Sequence, residues 1–487
     1  MSTMNLTLLT DLYQLTMMQG YFNNKNNDTV VFDAFYRTNP SGNGFAIAAG
    51  LEQVIDYIKN LHFSPEDIEY LRGLHIFSEP FLEYLTNFKF TGSIYAIPEG
   101  TVVFPKEPLL KVIAPIMQAQ LIETAILNII NHQSLIATKA ARVVYSAKGD
   151  GVLEFGLRRA QGPDAGVYGA RAAMIGGCVG TSNVLAGQKF GVPVSGTHAH
   201  SWIMSFPDEY TAFKEYADLY PNACILLVDT YDTLKSGVPN AIRVFKEMRE
   251  AGIPLTKYGI RLDSGDLAYL SKRARKMLDH AGFQDAIISA SSDLDENLIS
   301  SLKAQGAEIR LWGVGTNLIT SKDQPAFGGV YKLAAIQKED GTFIPKIKLS
   351  ENTAKVTNPG NKTVYRIYDK ETGMLNADLI CLADETFDTT KDLRIFDPIE
   401  TWKKTRYKAG TYEMRELLVE VFRDGECVYE SPSVMEMREY CRKEQDSVWE
   451  ESRRLVNPHE VYVDLSEKLY QMKAQLLEEL STEEDDD

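Results

Sequence analysis

Short apolar runs alternate with helical stretches in the middle of the chain, from about residue 151 onward. Consecutive runs lie roughly thirty residues apart, the spacing that parallel strands joined by crossover helices require. Such a series predicts an α/β fold with either a doubly wound sheet or a closed barrel. We favour a barrel, because polar residues suited to binding recur just after nearly every run, where barrel enzymes keep their active sites. The runs are residues 152–157, 192–194, 224–228, 258–262, 286–289, 309–314 and 330–334.

The first part of the chain has a different pattern. Residues 1–147 mix helical segments with alternating β-rich ones, such as residues 29–37. This mixture predicts an N-terminal α+β domain, which a long helix over residues 116–147 connects to the barrel. The barrel itself is assigned to residues 148–345.

The last part, residues 346–487, is polar and loop-rich and is interpreted as strand-poor. Residues 435–448 and 465–480 predict helices, so we expect a C-terminal helical extension that packs partly on the N-terminal domain. The acidic residues 483–487 predict a disordered end.

Composition argues against some classes of partner. The 67 acidic residues exceed the 51 basic ones and give a net charge of −16, which disfavours nucleic-acid or anionic-membrane binding through bulk charge. The five cysteines are widely spaced and form no C-x-x-C pair, which favours a reduced compartment. We see no signal-peptide pattern, and the longest apolar segment, residues 113–130, is interrupted by polar side chains typical of a buried helix. These features predict a cytoplasmic protein.

The ends of the predicted strands carry residues that suit one kind of ligand. Arginines bind phosphate or carboxylate groups, carboxylates hold ribose hydroxyls or Mg2+, and backbone N–H groups hold a terminal phosphate. The set therefore suits a phosphorylated, polyhydroxylated substrate. Its members are Arg158, Arg159, Thr197, His200, Asp229, Arg261, Asp263, Ser291 to Asp293, Gly315 and Thr316.

Plainer explanations exist for each of these residues. The arginine pair suits surface salt bridges, Asp229 suits capping of the next helix, and Gly313 and Gly315 suit a tight turn. His198 and His200 lack a third ligand at metalloprotease spacing, which argues against zinc. The chain also contains neither a P-loop nor a dinucleotide-binding G-x-G-x-x-G.

Five motifs, in this order along the first two thirds of the chain, resemble those of nicotinate phosphoribosyltransferase. They are Thr10-Asp11-Leu12-Tyr13-Gln14, then Glu154 to Gly162, then Gly196-Thr197-His198-Ala199-His200-Ser201, then Arg261-Leu262-Asp263-Ser264-Gly265-Asp266, and finally Gly313-Val314-Gly315-Thr316 followed by Gly328 to Lys332. The resemblance implies the type II phosphoribosyltransferase fold, an irregular (β/α) barrel beside an N-terminal α+β domain, working as a homodimer with shared active sites. It also implies a reaction in NAD salvage: nicotinate and phosphoribosyl pyrophosphate give nicotinate mononucleotide and pyrophosphate, with Mg2+, and ATP hydrolysis is coupled through a phosphohistidine.

The resemblance assigns roles to individual residues. His200 matches the phosphohistidine, whereas His198 is expected to be dispensable for phosphorylation. The other matches are Thr197 and Arg261 to nicotinate binding, Tyr13 to a tyrosine that reaches the ring from the partner subunit, Phe155 to a ring-stacking aromatic, and Thr316 to phosphate binding. Arg158, Arg159, Ser264 and Gly315 are taken as further substrate contacts, and Asp229 and Asp263 as holding ribose or metal, with no metal ligand certain.

The choice of pyridine and the class of protein have alternatives. Relatives that use nicotinamide place an acidic residue where this chain has Ser182, and the additional Arg159 favours a carboxylate substrate over an amide. A barrel lyase or isomerase acting on a sugar phosphate is a second hypothesis, but the strand ends offer only aspartate as a base. A non-enzymatic phosphate-binding protein is the third.

Overall fold

The computed structural model describes residues 5–350, 355–400 and 402–482, which form two compact units. The first unit comprises Met1–Leu135, Ala326–Pro432 and Tyr440–Asp487, and the second comprises Ile136–Pro325 and Ser433–Glu439. The units do not coincide with the three predicted segments, because the first unit takes its strands from both ends of the chain. The predicted disordered end, residues 483–487, lies outside the described residues.

The helices begin and end at the following residues: α1 Leu12–Asn23, α2 Leu51–Lys59, α3 Pro65–Gly73, α4 Glu79–Thr86, α5 Ile116–Leu121, α6 Glu123–Ser146, α7 Pro163–Ile175, α8 Val184–Phe190, α9 His200–Met204, α10 Glu209–Leu219, α11 Val238–Glu250, α12 Leu267–His280, α13 Glu296–Ala304, α14 Thr316–Ile319, α15 Val434–Asp446, α16 Glu450–Arg453 and α17 Glu467–Thr482. In the part of the chain that the structure describes, no helix combines the length and the apolar character needed to cross a membrane.

The strands are β1 Thr29–Tyr36, β2 Ala46–Ile47, β3 Ser93–Ala96, β4 Val102–Val103, β5 Leu110–Pro115, β6 Gly151–Glu154, β7 Gly180–Thr181, β8 Cys224–Leu227, β9 Tyr258–Leu262, β10 Ile287–Ser292, β11 Leu311–Val314, β12 Gly329–Gln337, β13 Phe343–Pro345, β14 Lys362–Asp369, β15 Leu375–Leu382, β16 Leu393–Phe396, β17 Lys404–Tyr407, β18 Tyr412–Glu416, β19 Val419–Arg423, β20 Glu426–Cys427 and β21 Tyr462–Leu465.

The second unit contains a curled parallel sheet with the strand order β7-β6-β11-β10-β9-β8. An isolated parallel bridge from Thr181 to Val194 adds one more extended segment outside β7. This half-barrel confirms the predicted α/β fold and its irregular barrel. The very short β7 is absent from the predicted runs, because two residues are too few to show an apolar pattern.

Local sequence explains why these strands and helices alternate. Strands such as β8 are buried at every position, so they read as continuous apolar runs, as parallel strands covered on both faces do. An aspartate begins three of the helices: the side chains of Asp208, Asp266 and Asp295 accept backbone N–H groups of the first turns of α10, α12 and α13. Since the strands are parallel, their carboxyl ends meet at one edge of the sheet.

The first unit is built on two main sheets, a seven-stranded one with the order β13-β12-β1-β5-β3-β19-β20 and a six-stranded one with the order β17-β16-β21-β15-β14-β18. Strand β12 corrects a prediction, since residues 330–334 were assigned to the parallel series. β12 instead pairs antiparallel with β1, from Val30 opposite Ile336 to Tyr36 opposite Gly329. An apolar run marks a buried strand but does not reveal which sheet it joins.

The interpretation of residues 346–487 as strand-poor is also wrong, because this segment supplies β14 to β21. Several of these strands carry polar side chains on an exposed face; β17, for example, alternates exposed and half-buried positions. The apolar content of strands such as β17 is therefore too low to mark them in the sequence, whereas β15 is buried at all but one position. The helices α15 and α17 confirm the predicted helical end, and β19 pairs with β3 of the N-terminal segment, from Val419 opposite Ala96.

Candidate active site

A cavity of about 700 Å³ opens at the carboxyl edge of the parallel sheet. Every residue that lines it belongs to the second unit. The lining follows the strand ends, as barrel active sites do. It comprises Phe155, Leu157, Arg158, Arg159, Ser182, Gly196 to Ser201, Leu227, Arg261, Asp263, Ser291, Ser292, Asp293, Gly313, Gly315 and Thr316.

Arg261, on β9, is the centre of a hydrogen-bond network in the wall of this cavity. Its Nε donates to Ser291 Oγ at 2.7 Å, Nη1 donates to Thr197 Oγ1 at 2.8 Å, and Nη2 donates to Asp263 Oδ1 at 2.9 Å. Three different strand ends are thereby tied to one guanidinium. The planar fork of arginine allows such fixed contacts, so the network holds the side chain in one orientation.

Asp263 is partly buried, and burial alone would raise its pKa. The hydrogen bond from Ser291 and the charge of Arg261 outweigh burial, so the pKa of Asp263 lies below its ordinary value. The carboxyl group is therefore ionised at neutral pH and leaves the site with a fixed negative charge beside the arginine.

His200, the first residue of α9, lies in the cavity wall with its Nε2 at 3.5 Å from Asp229 Oδ1. The Asp229 side chain is only 2% exposed. Its other oxygen accepts hydrogen bonds from the backbone N–H of Asp263 at 2.8 Å and from Ser264 Oγ at 2.7 Å. The carboxylate is thus held in place behind the imidazole.

This arrangement decides between the two interpretations of Asp229. It does not cap a helix; the nearby Asp232 does, accepting N–H groups from Leu234 and Lys235. Neither Asp229 nor Ser264 is among the residues that line the cavity: the Asp229 side chain is buried behind His200, whereas Ser264 is exposed. The ligand contacts expected of these two residues stay predictions.

His198 is in a quite different environment from His200. Only 7% of it is exposed, and its ring packs edge-on against Tyr216 at 4.6 Å. Its Nε2 accepts the backbone N–H of Leu227 at 3.3 Å, a group at the open edge of β8. Burial lowers the pKa of His198 to about 4, so the ring is neutral at physiological pH and suits a structural role.

The residues after β6 form another part of the cavity wall. Arg158 and Arg159 lie in a short turn of 3-10 helix, Leu157–Arg159, with exposed side chains. Phe155 packs over Gly313: a Cβ on that glycine would lie 2.6 Å from the ring. Gly313 is therefore needed for close packing of the aromatic ring, a reason separate from phosphate binding.

Comparison with known proteins identifies the family. Residues 8–131 match the nicotinate phosphoribosyltransferase (NAPRTase) N-terminal domain, residues 151–371 match the NAPRTase family and residues 361–473 match the NAPRTase C-terminal domain. The chain belongs to the nicotinate phosphoribosyltransferase family. It is therefore an enzyme of that class, as the resemblance predicted.

Individual relatives agree over almost the whole chain. Nicotinate phosphoribosyltransferase of Bacillus subtilis (strain 168) is 49% identical over 481 residues, which cover 98% of this chain and 96% of that protein. The Homo sapiens nicotinate phosphoribosyltransferase is 33% identical and covers 95% of each chain. The crystal structure of human nicotinic acid phosphoribosyltransferase matches with a TM-score of 0.84 and 31% identity over 96% of this chain and 99% of that one.

Within this family member, most of the predicted site residues line one cavity of the second unit, whereas Tyr13 belongs to the first unit. Tyr13 lies on α1 of the first unit with 49% of its surface exposed. Its hydroxyl oxygen accepts a hydrogen bond from the buried Gln14 at 2.9 Å, and the same amide nitrogen donates to Glu123 at 2.9 Å. The tyrosine is thus oriented by its own unit.

Ser292, inside the predicted stretch Ser291 to Asp293, lines the cavity with a φ of 131°, a value rare for a serine. Two further residues were not singled out as candidates in the sequence. Glu154 and Thr181 lie beneath the wall and bond to each other. Glu154 directly precedes Phe155 in the motif Glu154 to Gly162. An acidic residue at the end of a buried strand was the signal in the sequence that could have identified it.

Proposed function

We propose that this cavity joins nicotinate to phosphoribosyl pyrophosphate, giving nicotinate mononucleotide and pyrophosphate, and that His200 couples the reaction to ATP hydrolysis as a phosphohistidine. The family and the names of its relatives support nicotinate as the acceptor and a phosphoribosyl donor. The observation that carries the coupling is the pairing of a cavity-wall histidine with a buried carboxylate, His200 with Asp229. The product places the enzyme in NAD biosynthesis by salvage.

The pairing determines which ring nitrogen reacts. A proton on Nε2 of His200 is favoured by the facing Asp229 carboxylate, which leaves the lone pair on Nδ1. Nδ1 attacks the γ-phosphorus of ATP, the N–P bond forms, and the bond to the bridging oxygen breaks with release of ADP. Asp229 then stabilises the positive charge of the phosphorylated ring.

Transfer of the phosphoribosyl group requires no general base. The pyridine nitrogen of nicotinate attacks the anomeric carbon as the bond from that carbon to pyrophosphate breaks. Positive charge develops on the ribose in the transition state, pyrophosphate leaves with the bonding electron pair, and the pyridinium nitrogen of the product carries the positive charge, so no proton is transferred. Positioning of the two reactants carries much of the rate enhancement. The exposed Arg158 and Arg159 suit the anionic groups, while the fixed Arg261 and Thr197 define the wall beside the ring.

Mg2+ fits the donors present. Asp263 and Asp293 supply two carboxylates to the cavity, and Mg2+ is typically held by one or two carboxylates together with substrate phosphates. Among the described residues, no group of three or more histidines, cysteines or acids forms a metal site of its own. We propose that these two aspartates would hold the ion that accompanies pyrophosphate and that, when bound, it would supply positive charge to the leaving group.

The preference for nicotinate over nicotinamide is proposed to come from Ser182 and Arg159, which both line the cavity. A hydroxyl and a guanidinium suit a carboxylate, and no acidic side chain stands at position 182 to accept the N–H of an amide. The proposal extends to a cytoplasmic homodimer in which Tyr13 serves the ring site of the other subunit, supported by the exposed and oriented Tyr13 side chain.

Labelling with ATP that carries a radioactive γ-phosphate tests the coupling. We expect an acid-labile label on the wild-type protein and none on His200→Ala. His280→Ala is the matched control, because His280 is an exposed histidine of the same unit at the end of α12. A label of unchanged strength on His200→Ala rules out His200 as the phosphohistidine.

A further inference from the structure

Glu154 is a buried ionisable group to which the reaction assigns no role. It is the last residue of β6, and none of its surface is exposed. Burial raises the pKa of Glu154, and its two hydrogen bonds oppose that effect. Among the described residues it has no salt bridge, so it is held by neutral donors alone. Burial of a carboxyl group without a charged partner costs free energy of folding unless hydrogen bonds compensate it. The hydrogen bonds of Glu154 are therefore the contacts to consider.

The two oxygens of Glu154 bind two different segments of the cavity wall. Oε1 accepts the backbone N–H of Gly156, and Oε2 accepts the hydroxyl of Thr181 at 2.6 Å. Thr181 Oγ1 in turn accepts the N–H of Asn183 at 3.0 Å. The backbone carbonyl of Glu154 also accepts the N–H of Ser182 at 3.0 Å.

These two segments carry the residues that face the substrate. We call residues 155–159 the arginine turn; it presents Phe155, Arg158 and Arg159 to the cavity. Ser182 directly follows Thr181 and lies in the same cavity. One carboxylate therefore joins the base of the arginine turn to the base of the segment that carries Ser182.

Gly156 is closely packed where it donates its N–H to Glu154. A Cβ on Gly156 would lie 2.5 Å from Ile319 Cβ and 2.9 Å from Glu154 Oε1. Gly156, at the base of the turn, is thus enclosed between an apolar side chain and the carboxylate, whereas residues 157–159 are exposed. Removal of the carboxylate leaves the Gly156 N–H and the Thr181 hydroxyl without their acceptors, which frees the turn to shift.

We propose that Glu154 is a positioning residue that fixes the arginine turn relative to Ser182 and thereby sets the preference of the enzyme for the carboxylate-bearing pyridine. The inference rests on the proposed function, since it concerns how nicotinate is distinguished from nicotinamide. Glu154 does not touch the substrate; it acts through Arg158, Arg159 and Ser182.

Two variants and a matched control test the proposal. Glu154→Met keeps the length of the side chain and removes both acceptors, whereas Glu154→Gln keeps one. Glu209→Met is the control, because Glu209 is a buried carboxyl of the same unit, held by Ser236 and Asn240 but absent from the cavity wall. For each protein we would measure kcat and KM with nicotinate and with nicotinamide, the melting temperature, and hydrogen exchange of residues 155–159.

For Glu154→Met we expect KM for nicotinate to rise about tenfold or more, because misplacement of binding groups is costly. The ratio of kcat/KM for nicotinate to that for nicotinamide should fall, and the amides of the arginine turn should exchange faster. Glu154→Gln should be intermediate. Glu209→Met should lower the melting temperature and leave the ratio unchanged.

The proposal is overturned if folded Glu154→Met keeps the wild-type ratio and exchange rates, or if Glu209→Met changes the ratio equally. Should Glu154→Met fail to fold, the same criteria apply to Glu154→Gln. A wild-type protein that does not convert nicotinate contradicts the proposed function instead, and hydrogen exchange then still decides whether Glu154 fixes the turn.

Discussion

Two histidines two residues apart have opposite environments in this enzyme. His200 lies in the cavity wall and faces the Asp229 carboxylate, whereas His198 is buried and accepts the N–H of Leu227. The intervals match: one residue, Ala199, lies between the two histidines, and one residue, Val228, lies between Leu227 and Asp229. The hydrogen bond of His198 therefore aligns its segment with the end of β8, the strand that precedes Asp229.

The buried His198 should make stability depend on pH. Its pKa falls from 6.5 to about 4 on folding, chiefly because burial disfavours the charged ring. Below pH 6.5 His198 is therefore protonated in the unfolded chain but stays neutral in the folded protein. The free energy of unfolding consequently decreases as the pH falls towards 4. At pH 5 the loss is about 2 kcal/mol.

Urea unfolding of the wild type and of His198→Gln at pH 7.5 and pH 5 measures this contribution. The glutamine retains an acceptor for Leu227 and does not titrate, so it should lose less stability between the two values. Both proteins should still be labelled at His200. Equal losses in the two proteins would contradict the assignment.

Ser182 tests the basis of substrate choice at a single side chain. Ser182→Asp introduces a negative charge that repels the nicotinate carboxylate and suits the N–H of nicotinamide. We expect KM for nicotinate to rise by about tenfold or more, an effect near 1.4 kcal/mol, and the kcat/KM ratio to move towards nicotinamide. Ser182→Asn, similar in size and uncharged, is the control; an unaltered ratio in Ser182→Asp would rule out this pocket assignment.

At the scale of elements, the contact between the end of β6 and β11 determines where the aromatic ring lies. Gly313→Ala would place a Cβ 2.6 Å from Phe155, so the ring must move or β11 must shift. We expect a rise in KM for nicotinate and a destabilisation of about 1–3 kcal/mol, typical of overpacking. Gly20→Ala in α1, where nothing lies within 4 Å of the added atom, should leave KM intact and raise stability by about 0.5–1 kcal/mol, because alanine is the better helix former; thermal melts and steady-state kinetics would show both.

The parallel sheet was predictable because its strands are continuous apolar runs separated by helices that begin with aspartate. β12 was misassigned because its apolar pattern suits either sheet, and its partner β1 lies nearly 300 residues earlier in the sequence. Strands β17 and β18 escaped prediction because many of their positions are exposed and polar, whereas β14 and β15 were missed although most of their positions are buried. At the site, strand-end chemistry located the cavity, whereas the positions of Asp229 and Glu154 behind its wall depend on three-dimensional contacts that no spacing in the sequence reveals.

At the scale of the whole molecule, the proposed homodimer gives Tyr13 its role, since this residue belongs to a different unit from the cavity residues. If Tyr13 serves the site of the other subunit, a heterodimer of Tyr13→Ala and His200→Ala subunits contains one site with both defects and one with neither. Differently tagged subunits, co-expressed and purified in two affinity steps, should show about half of the wild-type ATP-coupled activity. Each homodimeric variant should lack that coupled activity.

A pairing of Tyr70→Ala with His200→Ala is the control, because Tyr70 is an exposed tyrosine of the same unit as Tyr13. If each Tyr13 serves its own subunit, the first heterodimer shows no such recovery and sharing of the active site is refuted.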